Sequence, residues 1–293
     1  LYKILFSFFF GWLVGDVLPQ WILLNLGILI IFSYYDIFFT PLGFGGIICH
    51  VLCWAILSVR LWIMLNIPER LEKKMLERFG NQWRDISTRS ITPKNIFEID
   101  WYSWFNPCRS IKDHRIEILR DQVYYEKNGQ QLKLDIYRPK KMGKNRPGIL
   151  QIHGGAWITG SKRQTSFFLV RMALQGWVCY SVTHGFSPKN VFPEHLIDIK
   201  RALRWIKDRA DDDGLDQNFI ISKGGSSGGH LASMMALTQN CSEFQPGFEK
   251  TDTSIQGCVS LYGVFNFIDA FDKKNPYPAK SKILKILCDG IPN

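Results

Sequence analysis

Residues 223–230 read Lys223-Gly224-Gly225-Ser226-Ser227-Gly228-Gly229-His230, and the pattern G-x-S-x-G fits them twice, once centred on Ser226 and once on Ser227. A serine presented at such a place needs a strand before it, a very sharp turn with the serine at its apex, and then a helix whose first N–H groups face the reacting oxygen. With Ser226 at the apex, Gly224 and Gly228 take the crowded positions two residues to either side. Ser227 then supplies the following N–H, and Gly229 lets the helix pack closely on the strand. With Ser227 at the apex, Gly225 and Gly229 do the crowding and Gly224 becomes redundant. Both registers are sterically open.

Outward from this stretch, short apolar runs alternate with helical patterns from about residue 120 onward. Gln122–Glu126 and Gln131–Tyr137 flank an Asn128-Gly129 pair, which is a hairpin signal. Gly148–Ile152, Trp177–Val182, Phe219–Ser222 and Cys258–Tyr262 read as further strands. Arg163–Gln175, His195–Arg209 and Ser227–Leu237 have helical periodicity, with Leu196, Ile199, Leu203 and Ile206 on one apolar face. Strand and helix in alternation after a hairpin predict an α/β fold with a doubly wound, mostly parallel sheet, whose ligands bind beyond the carboxyl ends of the strands. Two glycine-rich loops leave those ends: His153-Gly154-Gly155-Ala156-Trp157 and the Ser-Ser stretch.

Those two loops together resemble the α/β-hydrolase superfamily, specifically the hormone-sensitive-lipase-like esterases, which carry an HGG oxyanion motif and a G-[DG]-S-A-G-G elbow. Phe192-Pro193 followed by Asp198, Ala202, Leu203 and Trp205 is similar to a further run of that family, and Leu134-Asp135-Ile136-Tyr137-Arg138-Pro139 to its second strand. The likeness covers about residues 120–265. It implies Ser226 as nucleophile, with Ser227 in the place of an alanine, and the backbone N–H groups of Gly154, Gly155 and Ser227 as oxyanion donors. His153, Gly224 and Gly228 support the motif; His153 is expected to shape the glycine loop, His230 to pack or hydrogen-bond, and Asp198 to hold a loop or cap a charge.

In this fold the triad acid and base follow the serine in chain order, and His230 is the one histidine after Ser226. The expectation is therefore a fragment that ends before its acid and base, and the lack of an initiating Met points the same way. Two departures from the family pattern stand out. His184-Gly185-Phe186 replaces a Tyr-Arg-Leu run after the fourth strand, and Ala156 stands where a third glycine is common.

The chain has 293 residues with 46% hydrophobic content, enough for one core and an added segment. From Leu1 to Leu65 the only charged residues are Lys3, Asp16, Asp36 and Arg60. Val17–Tyr35 and Phe44–Leu65 each approach the roughly 20 residues that cross a hydrocarbon core as a helix, and Leu1–Val14 reads as the remnant of a third span. The apolar stretch is too long for a signal peptide. Expected domains are a transmembrane anchor over 1–67, a polar connector over 68–117 and a hydrolase domain over 118–293. Basic residues from Arg60 to Arg84 predict a multi-pass membrane protein with its hydrolase domain in the cytoplasm.

The net charge of +10 is spread along the chain, so it excludes no class by itself, but no nucleic-acid recognition motif accompanies it. Seven cysteines show neither a disulfide framework nor metal-ligand spacing. No cofactor or metal is implied, since the glycine loops lack the Lys-Ser/Thr of a phosphate-binding loop. Expected partners are a small-molecule ester, with lipid-derived esters favoured by the anchor, and membrane lipid. The function implied is serine-dependent hydrolysis of carboxylic esters. Alternatives are an arylformamidase-like amide hydrolase and an inactive hydrolase fold used for binding.

Overall fold

A computed structural model describes residues 18–35, 40–81, 113–127, 129–141 and 143–265. They fall into two compact units, one within Leu1–Ser110 and one within Ile111–Asn293.

The first unit holds helices α1 (Leu18–Tyr34), α2 (Pro41–Leu65) and α3 (Ile67–Phe79). α2 starts cleanly: Pro41 occupies its first turn and the Thr40 hydroxyl accepts the Gly43 N–H at 3.0 Å, satisfying an otherwise orphaned donor. Most of its apolar side chains are exposed, with Leu52, Val59 and Trp62 more than half so, while Leu57 is buried. Among the described residues one helical stretch, Gly43–Phe79, running through α2 into α3, is long and apolar enough to cross a membrane. Of the expected pair of spans, only this one meets that length among the described residues. α1 has 17 residues, which at about 1.5 Å per residue fall short of a roughly 30 Å hydrocarbon core. The two helices meet where the His50 Nε2–H donates to the Asn25 carbonyl at 3.1 Å. Leu1–Val14 and residues 82–112 lie outside the described residues; the connector's first part is helical, as α3.

The second unit is a six-stranded sheet of β1 (Ile116–Lys127), β2 (Gln130–Pro139), β3 (Arg146–Ile152), β4 (Val178–Val182), β5 (Leu215–Gly225) and β6 (Gly257–Leu261) in the order β1-β2-β4-β3-β5-β6. β1 and β2 are antiparallel to their neighbours, and β4, β3, β5 and β6 run parallel. Helices α4 (Ser166–Leu174), α5 (Glu194–Asp208), α6 (Ala210–Asp213) and α7 (Ser227–Leu237) complete the unit. The expectation of an α/β fold with a mostly parallel sheet holds.

Side chains alternate across β2, so Leu134 and Ile136 join Leu150, Ile152, Tyr180, Val182 and the apolar face of α5 in one core. Tyr137 joins Ile149, Cys179 and Leu169 of α4 in the other. Each fully buried Leu or Ile contributes about 2 kcal/mol, which is why the central strands read as unbroken apolar runs. The four parallel strands put their carboxyl ends along one edge, with Ile152 level with Val182 and Gly224. Every loop that matters below leaves that edge.

The strands are longer than their apolar runs suggest. β1 starts at Ile116 rather than Gln122 because a register shift between Leu119 and Gln122, with Asp121 at φ 55, breaks its alternation. β5 starts at Leu215 because left-handed Gly214, at φ 67, ends α6 one residue earlier. The elbow helix α7 matches its expected range. Helices α4 and α5 begin and end within a few residues of theirs.

Candidate active site

β5 ends at Gly225 and α7 begins at Ser227, so the whole reversal of direction falls on Ser226. Its backbone sits at φ 55 and ψ −124, a region that side-chain-bearing residues enter at a cost of about 1–3 kcal/mol. Packing forces this. A Cβ added to Gly224 would lie 2.2 Å from the Gly228 carbonyl oxygen, and one on Gly228 would lie 2.4 Å from the Ile152 carbonyl oxygen. The Ser226 N–H donates to the Leu261 carbonyl at 2.9 Å, and its carbonyl accepts the His230 N–H at 3.0 Å.

Ser226 is half-buried, whereas Ser227 is 1% exposed inside the first turn of α7. The register left open by the sequence is therefore resolved at the level of backbone: Ser226 is the apex. Among the described residues no side chain hydrogen-bonds the Ser226 hydroxyl.

The glycine loop after β3 comes to the same place. A Cβ on Gly154 would lie 2.7 Å from the Gly225 carbonyl oxygen and 3.5 Å from the Ser226 Cβ. Only a glycine at 154 permits that approach. Beyond it the loop bends sharply, with Ala156 at φ 53 and Trp157 at φ 61. Ala156, the departure noted above, thus adopts the left-handed conformation that a glycine would take freely. The bend closes through the Ile158 and Thr159 N–H groups, both 3.1 Å from the Gly155 carbonyl. Trp157 is buried and meets His230 edge-on, 5.5 Å between ring centroids.

His153 is buried with its Nδ1 3.0 Å from the Gly154 carbonyl, and since a carbonyl only accepts, Nδ1 carries the proton. Its ring stacks on His184, 4.7 Å apart at 19°. His184 in turn meets His195 edge-on at 5.5 Å. Burial keeps these imidazoles neutral, pulling His184 down to about 3, with help from nearby His153, and His195 down to about 4. His153 and His230 are lowered for the same reason.

Asp198 accepts the Gly185 N–H at 3.0 Å and so holds the loop after β4. Burial raises its carboxyl to about 6, against the pull of that N–H and of Arg201. The sequence reading flagged His184 only as a departure and missed His195 as part of this cluster. Among the described residues no group of three or more His, Cys, Asp or Glu is arranged to hold a metal ion.

The BD-FAE family matches residues 134–291, more than half of the chain and spanning both loops. The chain belongs to the BD-FAE family. Within reach of this BD-FAE chain is the probable carboxylic ester hydrolase LipM of Mycobacterium tuberculosis, 40% identical over 173 residues, which are 58% of this chain and 40% of that protein. Esterase LipQ of the same organism is 39% identical over 151 residues, or 50% of this chain and 36% of LipQ. This chain spans about 40% of the length of these curated relatives. Among solved structures, Thermogutta terrifontis esterase 2 phosphonylated by sarin superposes with a TM-score of 0.50 at 21% identity, covering 60% of this chain and 65% of that one. That likeness shows the shared α/β-hydrolase fold. The hormone-sensitive-lipase-like expectation is met at that coarser level, an α/β-hydrolase of esterase kin.

Proposed function

We propose that this protein is a serine-dependent carboxylic ester hydrolase in which Ser226 is the nucleophile. The observation that carries the reading is the junction of the two loops, with Ser226 at an apex of φ 55 and Gly154 packed against it. In this mechanism the Ser226 Oγ attacks the acyl carbon while a general base takes its proton. The tetrahedral oxyanion is met by the N–H groups of Gly154, Gly155 and Ser227, and its collapse expels the alcohol, which receives the proton. Water then repeats the sequence on the acyl-enzyme. Loss of one such donor costs about 3 kcal/mol of barrier.

Gly224 and Gly228 serve this site by making the turn, and His153 by shaping the loop. LipM and LipQ, by name an ester hydrolase and an esterase, favour esters over amides as the substrate class. The helix Gly43–Phe79, 6% buried over its apolar window, supports a membrane anchor. The 17-residue α1 is a candidate second pass, and the basic residues after α2 favour a cytoplasmic hydrolase domain. Small lipid-derived esters then become the substrates nearest at hand. In domain terms we assign residues 1–67 to the anchor, 68–117 to the connector and 118–293 to the hydrolase.

The test is active-site labelling of the full-length protein with a fluorophosphonate. Ser226→Ala abolishes labelling and Ser227→Ala retains it. Labelling that survives the first change and disappears with the second assigns the nucleophile to the wrong serine, and an unlabelled wild-type protein favours the binding-module alternative. Turnover of aryl formamides faster than of acyl esters replaces esterase by amidase.

A further inference from the structure

The oxyanion loop is bent through two consecutive non-glycine residues at positive φ, Ala156 and Trp157, a conformation that persists only where the surroundings impose it. Its own hydrogen bonds close the bend but do not tie it to the sheet. Besides the edge contact of Trp157 with His230, the ties come from the loop between β4 and α5. The Ser187 N–H donates to the Trp157 carbonyl at 3.0 Å. The His184 ring lies flat against His153, and Phe186 closes on the same His153 ring at 5.7 Å.

That second loop is fixed in turn by α5. Asp198 takes the Gly185 N–H at 3.0 Å, next in sequence to His184. The His195 Nε2–H lies 3.2 Å from the Ser187 Oγ, whose own hydroxyl donates to the Asn190 carbonyl at 2.9 Å. On its other side the loop borders a cavity of about 190 Å³ lined by Gly185, Asn190, Glu194 and Asp198 among others. Within the loop, the Asn190 N–H also donates to the Phe186 carbonyl at 2.9 Å, which keeps the turn closed beside that cavity.

We propose that His184 and Asp198 are positioning residues, which touch no reacting atom and hold the Gly154 and Gly155 N–H groups in place by bracing the strained loop through His153. The inference rests on the reading of those N–H groups as oxyanion donors. It places one half of the brace, His184, where this chain departs from the Tyr-Arg-Leu pattern, and the other, Asp198, in a run that resembles the family.

The experiment compares wild type, His184→Ala, His184→Leu, Asp198→Ala and Asp198→Asn in the full-length protein. Measured are the fluorophosphonate labelling rate per folded molecule, with folding read by near-ultraviolet circular dichroism, and kcat and KM on p-nitrophenyl butyrate. A misplaced donor slows the chemistry by about 10- to 100-fold. Labelling and kcat should fall by that amount in Asp198→Ala and both His184 variants while KM stays within about threefold, because uniform binding is untouched. Asp198→Asn should recover most of the rate, since the amide oxygen still accepts the Gly185 N–H. His184→Leu keeps the volume without the flat ring and remains informative if His184→Ala does not fold. Variants that label at the wild-type rate per folded molecule overturn the brace and leave the serine mechanism standing. A wild-type protein without labelling sinks the serine reading and the brace together.

Discussion

Two turns at the same edge of the sheet hold side-chain-bearing residues at positive φ, and they are held by different means. At the elbow, Ser226 at φ 55 is locked by backbone: the nearest atoms to a Cβ on Gly224 or Gly228 are all main-chain atoms of the elbow or of the β3 end. At the glycine loop after β3, Ala156 and Trp157 at φ 53 and 61 are tied to the rest of the domain chiefly by rings, the His153–His184 stack and the Trp157–His230 edge contact, with one main-chain bond from Ser187 to Trp157. A turn fixed by glycine crowding carries its specification in a short stretch of sequence. One fixed by side chains borrows it from residues far off in the chain.

The sharpest way to break the elbow is Gly228→Ala. The new methyl would meet the Ile152 and His153 carbonyl oxygens at 2.4 and 2.5 Å, and main chain at the end of a buried central strand cannot give way by the ångström required. The expected result is a loss of more than about 4 kcal/mol in urea denaturation, or no folded protein at all, the size reserved for steric conflict in a core. A variant of near wild-type stability would mean that the crowding is not what bends Ser226.

This difference also explains what the sequence made legible. The elbow, the Gly154 approach and helix α7 could be read because glycine spacing reports backbone crowding directly. The β1 start could not, because Asp121 interrupts the period-2 pattern at a bulge. Nor could the histidine cluster: His153, His184 and His195 are 31 and 11 residues apart in order and meet only because β3 and β4 are neighbours with their ends level. His195 looked like one more residue at the start of a helix. Its burial beneath Ser187 follows from the path of the β4–α5 loop, which local pattern does not encode. For α1 and α2 the composition was plain, and only the helix length separated one span from two.

The side-chain lock should yield to acid before the elbow does. An unfolded imidazole takes up its proton near pH 6.5, whereas folded His184 and His195 stay neutral down to about 3 and 4. Between those values the unfolded chain holds more protons, so stability falls as pH drops below about 6.5, by up to about 1.4 kcal/mol per pH unit for each imidazole. Asp198 has the opposite sign. Its folded carboxyl titrates at about 6, above the unfolded value near 3.9, so its contribution is fully present below about pH 4 and is lost as pH rises through 6. Asp198→Asn should therefore be more stable than wild type at pH 7–8, by at most about 3 kcal/mol, and lose that advantage by pH 4. Urea melts across pH 4–8 read both slopes; a wild-type stability that is flat from pH 7 to 5 contradicts neutral buried imidazoles.

The smallest effect compares the two turns most directly. Ala156 is exposed, so replacing it by glycine removes little packing. Relief of the left-handed conformation returns about 1–2 kcal/mol, and the added freedom of the unfolded chain takes back about 0.5–1 kcal/mol. Ala156→Gly should thus stabilise the domain by roughly 0.5–1 kcal/mol, read as a small rise in Tm. If the brace from His184 and Ser187 sets the loop, the fluorophosphonate labelling rate should stay within about twofold of wild type, because the position of Gly154 and Gly155 does not depend on the strained residue itself. A large fall in labelling with a rise in Tm would instead show that the methyl group at 156 limits the loop to one conformation, and that the left-handed alanine is itself part of what orders the site.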